Sequence, residues 1–383
     1  MVIRFRKPNI LLALMVFFSM TPFILPFPGL GSDMQPYALL LGLCMLMLYS
    51  NQALGAMGRH WQFQVLLVPL VVAVLCLVVD MFSLGGFRGA YNHFSIMLVF
   101  LALYTLLERF EFPESQIKTV IWIWFAVATI QFLFDREFLA QFISGEREDA
   151  YRRGVVGLCS EASFFGISCF YFLHMASRFK KHKVFYMILI TAMSVLYAQS
   201  MQGLLFIAVF YIGLLVDSIN SRKGIFLVIG IVVGIVVGFL VLRKFAPTSR
   251  LVQLFESFFE QGVAGTVEND ASATVRLNSI LNAIKEALSS YLIPQGFNRR
   301  IGSGFGGLLV ELGVFGLVET FVIAYCFSLQ YKKRYSRILY FLLVYFVMFS
   351  NTQMGNPQLL FVMAINLYYH NKERDHEQTP ALA

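Results

Sequence analysis

The chain has 383 residues, 58% of them hydrophobic and 14% charged, with 40 Phe and a mean hydropathy of +0.70. No soluble domain of this size hides that much apolar surface, whereas lipid accepts it. A net charge of +8 invites a nucleic-acid reading, but most basic residues sit where a membrane topology needs them, which excludes that class.

In chain order, apolar runs of spanning length recur near residues 10–28, 36–55, 62–80, 92–108, 117–134, 161–177, 184–199, 203–217, 224–242, 306–328, 338–350 and 357–370. The expected fold is therefore an all-α polytopic integral membrane protein of about twelve spans. "MVIRFRKPNILLALMVFF" has the basic start of a signal peptide, but it runs on as a span with no small-residue exit site. The five cysteines are scattered, with neither disulfide nor metal spacing.

Lys and Arg set the orientation. With the N-terminus in the cytoplasm, Arg4, Arg59, Arg109, Lys118, Lys180, Arg222, Lys332 and Lys372 all fall in internal connections, and the short external turns hold only Arg88. Both termini are then cytoplasmic. The organisation is five spans over 1–134, an external loop at 135–160, four spans over 161–242, a large external loop at 243–305, and three spans with a tail over 306–383.

Two hairpins are short. Val184–Asp217 is barely long enough for two crossings at about 1.5 Å per residue, and its turn "AQSMQG" carries Gln199, Ser200 and Gln202. The last pair turns through "SNTQMGNP", with Gln353 and Asn356. Polar tips on short legs are expected to be recessed, which is tolerated beside a water-filled cavity or inside protein; the plainer alternative is that the helices run on past these boundaries. Within the large loop, "TVRLNSILNAIKEALSSYL" predicts an amphipathic helix with Leu277, Ile280, Leu281, Ile284 and Leu288 in one stripe. It would form a cap on the outer face that places Arg276 over the cavity. "GSGFGG" beyond it is a weak phosphate-cradle signal.

No zinc-protease helix, paired thiols, Gly-x-Ser-x-Gly elbow or aspartate pair with metal spacing occurs, so the expected chemistry uses neither metal nor cofactor. What remains is arginines and one carboxylate at a span mouth, "YRRGVVGLCSEASFFG". The planar fork of arginine suits a diphosphate, donors aimed at a departing diphosphate help most in the transition state, and Glu161 could take a proton from an attacking hydroxyl. The bland alternatives are that Ser160 caps the next helix with Glu161 favoured by its dipole, and that Arg152 and Arg153 meet head groups or "EREDA". Glu311 and Glu319 lie inside a span, where carboxylates are costly. Glu311 is expected to line the cavity and Glu319 to bond a neighbouring helix. Asp80 and His93 border a short turn, and a lone His there is expected to be structural.

"GLCSEASFFG", "YAQSMQGLL" and the stretch from "TVRLNSILNAI" to "GFNRRIGSGFGGLLVELGVFGL" resemble motifs of Wzy-type O-antigen polymerases, within the O-antigen polymerase and ligase superfamily. Ala162 stands where proline is frequent, and "FGGLLVELG" lacks the histidine that ligases often carry there. The resemblance implies a GT-C-like fold in the bacterial inner membrane with a periplasmic active site. It implies polymerisation of undecaprenyl-diphosphate-linked repeat units without metal or cofactor, with Glu161, Arg153 and Arg276 catalytic. Arg152, Arg250, Arg299 and Arg300 would assist at the diphosphate, and Gln199, Ser200, Gln202, Glu311 and Gln353 would hold substrate. Implied partners are the lipid-linked glycans, the bilayer, a chain-length regulator and a flippase, with no nucleic acid. The rival expectations are a ligase acting on lipid A core and a lipid-linked oligosaccharide flippase.

Overall fold

A computed structural model of the chain describes residues 10–26, 34–143, 154–218, 271–299, 304–348 and 354–378, with scattered helical positions between 226 and 262. The described chain is helical throughout, apart from one isolated bridge between Ile24 and Ile143. The helices are α1 (Ile10–Met20), α2 (Tyr37–Leu48), α3 (Ser50–Arg59), α4 (Trp61–Val79), α5 (Leu84–Phe110), α6 (Glu114–Leu133), α7 (Ala162–Ala176), α8 (Lys183–Ala192) and α9 (Met201–Ser218). After the large loop come α10 (Ala271–Ser289), α11 (Gly304–Leu312), α12 (Val314–Ser328), α13 (Arg334–Met348) and α14 (Pro357–Gln378).

Among the described residues four helices are long and apolar enough to cross a membrane: α4, Gly85–Phe110 of α5, α6 and α9. A bent pair, α2 with α3, makes a fifth if it counts as one span. The other apolar helices α1, α7, α12 and Lys183–Ala198 are shorter. Of the expected span at 224–242 only residues 226, 230, 233, 234, 237 and 240 are described, and residues 245–251 and 263–270 of the following loop lie outside the described residues.

Helix α5 is the hub. Its N-terminus is capped by Ser83, whose hydroxyl accepts from the Gly86 amide at 3.0 Å, and it packs against α2, α4 and α14. In its most apolar stretch 83% of residues are inside the fold, against 33% for α4; α4 is thus a peripheral helix and α5 a central one. Helix α14 is central too. Pro357 occupies its first turn, where a missing N–H costs nothing, and Asn356 Oδ1 accepts from the Gln358 amide at 2.9 Å. Met354, Gly355 and Asn356 are buried, so this polar approach to α14 is recessed inside protein rather than beside open water.

Two expected spans are corrected. The run at 36–55 stops at Leu48: the chain bends by 96° between α2 and α3, and α3 buries only Ala53 and Ala56. The run at 306–328 is two helices, because Gly313 (φ 57°) turns the chain sharply. Val314 N–H there donates to the Leu292 carbonyl at 2.8 Å, and a Cβ on Gly316 would lie 2.3 Å from the Leu308 carbonyl oxygen, so α11 folds back over the start of α12. The run at 184–199 does form the first leg of a hairpin, but its last turn, Met193–Ala198, is a π-helix. Gln199 follows in the left-handed region (φ 46°), which directs the chain straight into α9.

The charged connections gather at one end of the bundle. Arg59 pairs with both Glu108 oxygens at 2.8 Å, Glu114 accepts from Lys118 and from the Lys180 amide, and Arg178 stacks over Tyr369 at 5.0 Å. Lys332 pairs with Glu373. The connection following α10 bonds instead to the one following α4, through Phe297 N–H and Asp80, and the connection following α6 to the one following α8, through Val155 N–H and the Tyr197 carbonyl.

Candidate functional site

Glu161 occupies the capping position of α7 with extended backbone (φ −144°, ψ 151°) and makes no side-chain bond to the helix amides. Its Oε2 accepts from the Ser163 hydroxyl at 3.1 Å, and it is half-buried. The residue beginning the helix is therefore Glu161 rather than Ser160, whose hydroxyl is buried without a hydrogen-bond partner. A carboxylate here faces the positive end of a helix almost wholly buried in the bundle.

The segment before it is held in place from two sides. Gln131 of α6 accepts from the Gly157 amide at 2.7 Å and donates to the Gly157 carbonyl at 2.9 Å and the Phe138 carbonyl at 3.0 Å. Gly157 has φ +61°, and a Cβ there would meet the Phe165 ring at 3.4 Å, so glycine suits the turn. On the other side Val155 N–H donates to the Tyr197 carbonyl at 2.9 Å. Gly154 lies so close to the Ala198 carbonyl that a Cβ would be 2.3 Å away.

The residues before Glu161 thus pack against the start of the "AQSMQG" turn, in which Ala198 and Gln202 are buried, Gln199 and Ser200 are partly buried and Met201 is exposed. Ser200 Oγ accepts weakly from the Gly203 amide at 3.4 Å as the cap of α9. Gly166 and Gly203 let α7 and α9 touch backbone to backbone, and a Cβ on Gly166 would approach Ser200 Cβ within 3.5 Å. Gln199 donates to the Leu196 carbonyl at 3.0 Å, and Gln202 is buried. The structure therefore brings together the elements carrying Glu161, Gln199, Ser200 and Gln202. A polar chain continues inward: Cys159 Sγ lies 3.6 Å from Ser168 Oγ, which donates to Gln358 Oε1 at 2.7 Å, and Gln358 Nε2 donates to the Met20 carbonyl at 2.8 Å. Burial pushes the Cys159 thiol well above its ordinary range, so it is a packing group and not a nucleophile.

Arg152, Arg153, Arg250, Arg300 and Gln353 lie outside the described residues. Arg276 falls in the first half of α10 and Arg299 ends a 3-10 turn, Phe297–Arg299; only their backbone is described. Helix α10 is present as expected. Ala283 and Ala287 are buried against Leu309 and Val310 of α11, while Leu277, Leu281 and Leu288 are 47%, 55% and 62% exposed. Small residues admit the closer helix contact, and this leaves the leucine stripe facing outward.

Glu311 also differs from expectation. It is buried and turned away from any open space: its Oε2 lies 2.9 Å from His93 Nε2, and Glu319 Oε2 lies 2.8 Å from His93 Nδ1. The fold-back at Gly313 is what lets two carboxylates, one from α11 and one from α12, reach opposite edges of one ring. All three side chains are almost fully buried. Removing one partner of such a set typically costs about 3–5 kcal/mol, because the others remain buried and uncompensated. Carboxylates on opposite ring nitrogens form a chain rather than a cage, and among the described residues no group of three His, Cys, Asp or Glu is arranged to hold a metal ion.

The trio was missed from sequence because each residue was weighed alone. Two acids in one apolar run and a histidine in another are the signal that could have found it, since intramembrane ionisable groups usually pair. A cavity of about 420 Å³ lies at the opposite, charged end, lined by Arg59, Glu108, Arg109, Asn371 and Lys372 among others. Several of the residues expected to wall an outward cavity lie outside the described set. No protein-family model, curated protein or solved structure matches this chain.

Proposed function

We propose that the protein is a membrane glycosyltransferase that lengthens a glycan on a lipid diphosphate, in the manner of the O-antigen polymerases its motifs resemble. The observation that carries the reading is the placement of Glu161. It is a half-buried carboxylate at a helix mouth, clamped through Gln131–Gly157 and Val155–Tyr197 beside the polar turn of α9, with Arg152 and Arg153 a few residues upstream in sequence.

In this mechanism a hydroxyl of the acceptor sugar gives its proton to Glu161 and its oxygen attacks the anomeric carbon of the donor. The bond from that carbon to the diphosphate oxygen breaks, and the electron pair stays on the leaving diphosphate. Arg153 and Arg276, with Arg152, Arg250, Arg299 and Arg300 in support, meet the charge that develops there. Gln199, Ser200 and Gln202 supply hydrogen bonds for sugar hydroxyls. The topology that accompanies the reading has about twelve spans, both termini in the cytoplasm, and Glu161 at the periplasmic face of a bacterial inner membrane. The outward leucines of α10 would then rest in the outer lipid interface.

One observation favours a second reading, a transporter of the same lipid: the His93–Glu311–Glu319 trio is the kind of buried ionisable set that marks transport pathways. Purified protein supplied with undecaprenyl-diphosphate-linked repeat units, without nucleotide, tests the two. A ladder of lengthened glycans supports transfer. Movement of the lipid across liposomes without a ladder would replace it with transport.

A further inference from the structure

Basic residues crowd two stretches that meet at the charged end of the bundle: "QYKKRYSR" (330–337), leading into α13, and "HNKERD" (370–375), late in α14. Membrane topology asks only that such residues lie in a connection. Helix stability argues against them at 334 and 337, since a cation in the first turn of α13 opposes the helix dipole. Their side chains are nonetheless held in set places. Arg337 Nε donates to the Tyr331 carbonyl at 2.6 Å, and Arg178, from the connection after α7, donates to the adjacent Gln330 carbonyl at 3.4 Å. Arg337 Nη2 lies 3.4 Å from His370 Nδ1, and Arg374 stands one turn beyond His370 on the same face of α14. The charges of all three arginines act on the His370 ring.

These guanidiniums have more donors than partners. Among the described residues none of Arg178, Arg337 and Arg374 forms an ion pair. Glu373, whose charge reaches Arg178, pairs instead with Lys332 at 3.2 Å. A guanidinium carries five N–H donors. Arg178 uses one in a long hydrogen bond and leaves Nε buried without a partner, and the exposed side chain of Arg374 makes no hydrogen bond to any described residue. An aromatic wall begins where the arginines end. One turn after Arg337, Phe341 packs edge-on against Phe321 at 5.4 Å, and Tyr325, one turn after Phe321, packs against Trp61 at 5.1 Å. The charges of Arg337 and Arg374 reach the Tyr325 side chain, which joins the basic head to the wall. Phe321 is 48% and Trp61 39% exposed, so this wall faces outward from α4, α12 and α13.

We propose that Arg337 and Arg374, with Arg178 behind them, bind the phosphate of an anionic membrane phospholipid, whose glycerol and acyl chains lie along Trp61, Phe321 and Phe341. The occupant follows from the pairing of the two surfaces. A soluble phosphate would use the cations and leave the exposed aromatics without a partner. A zwitterionic lipid carries its own cation, which three arginines repel. Planar guanidiniums hold phosphate oxygens in pairs, basic pockets between helices at a membrane surface select anionic head groups, and Trp and Tyr favour the same depth. Arg178 and Glu161 flank α7 at its opposite ends, so this site is separate from the one around Glu161 and does not depend on the transfer reading.

The test reads the fluorescence that Trp61 contributes, taken as the difference between the full chain and Trp61→Phe, in phosphatidylcholine vesicles. Phosphatidylglycerol brominated on its acyl chains should half-quench this emission at a mole fraction about tenfold lower than brominated phosphatidylcholine does. One arginine near a membrane surface changes such a preference about fivefold. Arg374→Ala should therefore raise the phosphatidylglycerol midpoint about fivefold, Arg374→Lys should keep most of the preference, and Arg337→Ala combined with Arg374→Ala should abolish it. Equal quenching by the two lipids, or an unmoved midpoint in Arg374→Ala, overturns the site. Inorganic phosphate added at constant ionic strength should leave the midpoint where it is; a rise would assign the arginines to a soluble anion and overturn the lipid. If Arg337→Ala does not fold, Arg374→Ala carries the test, because the Arg374 side chain is exposed.

Discussion

Replacing Gln131 with alanine isolates what holds Glu161 in place. The substitution removes the acceptor of the Gly157 amide and the donor to the Gly157 and Phe138 carbonyls. Gly157 is buried, so its amide and carbonyl are left without partners, each at about 1–3 kcal/mol. Water entering the vacated space would recover part of this, leaving about 3 kcal/mol. At about 1.4 kcal/mol per factor of ten, local opening of 154–161 becomes about a hundredfold more frequent. Cys159 reports this directly, since it is fully buried and its thiol is held well above its ordinary range by that burial. Alkylation of Cys159 with a maleimide, read by mass spectrometry, should be very slow in the unaltered chain and about a hundredfold faster in Gln131→Ala. An unchanged Cys159 rate would refute the clamp, and glycan transfer should fall in step with opening if the clamp is what aims Glu161.

Gly313→Ala should destabilise the fold severely, because the backbone is at φ 57° and a Cβ would sit 2.0 Å from the Leu292 carbonyl oxygen; thermal unfolding in detergent should show a large fall, and an unchanged midpoint would mean α11 and α12 are not folded back. Arg59→Ala should matter little, at less than about 1 kcal/mol, because the Arg59–Glu108 pair is largely exposed and screened by solvent. The same unfolding assay checks it.

Much of the helical plan was legible in the sequence, because lipid-facing runs need only length and hydropathy to be recognised. Helices α4, α6 and α9 show this. The breaks at Tyr49 and Gly313 were not legible. Nothing local to "LLLGLCMLMLYSNQALG" separates a bend from a continuing span, and Gly313 is one glycine among several in its run. Glu161 was singled out by its position at a span mouth, and it does stand at the N-terminus of α7. That α10 packs on α11 through Ala283 and Ala287 is a matter of close helix contact, which hydrophobicity alone does not show. The trio of His93, Glu311 and Glu319 joins residues more than two hundred positions apart, and that pairing exists only in three dimensions.

The most direct test of the central claim is the Glu161→Gln variant in the glycan-ladder assay, with Cys159 inertness and the melting midpoint as controls for an intact fold. The amide keeps an oxygen to accept from Ser163 but cannot take a proton from a sugar hydroxyl, so the account predicts a folded protein that makes no ladder, with Glu161→Asp retaining partial activity. A ladder of normal length and rate from folded Glu161→Gln would contradict it.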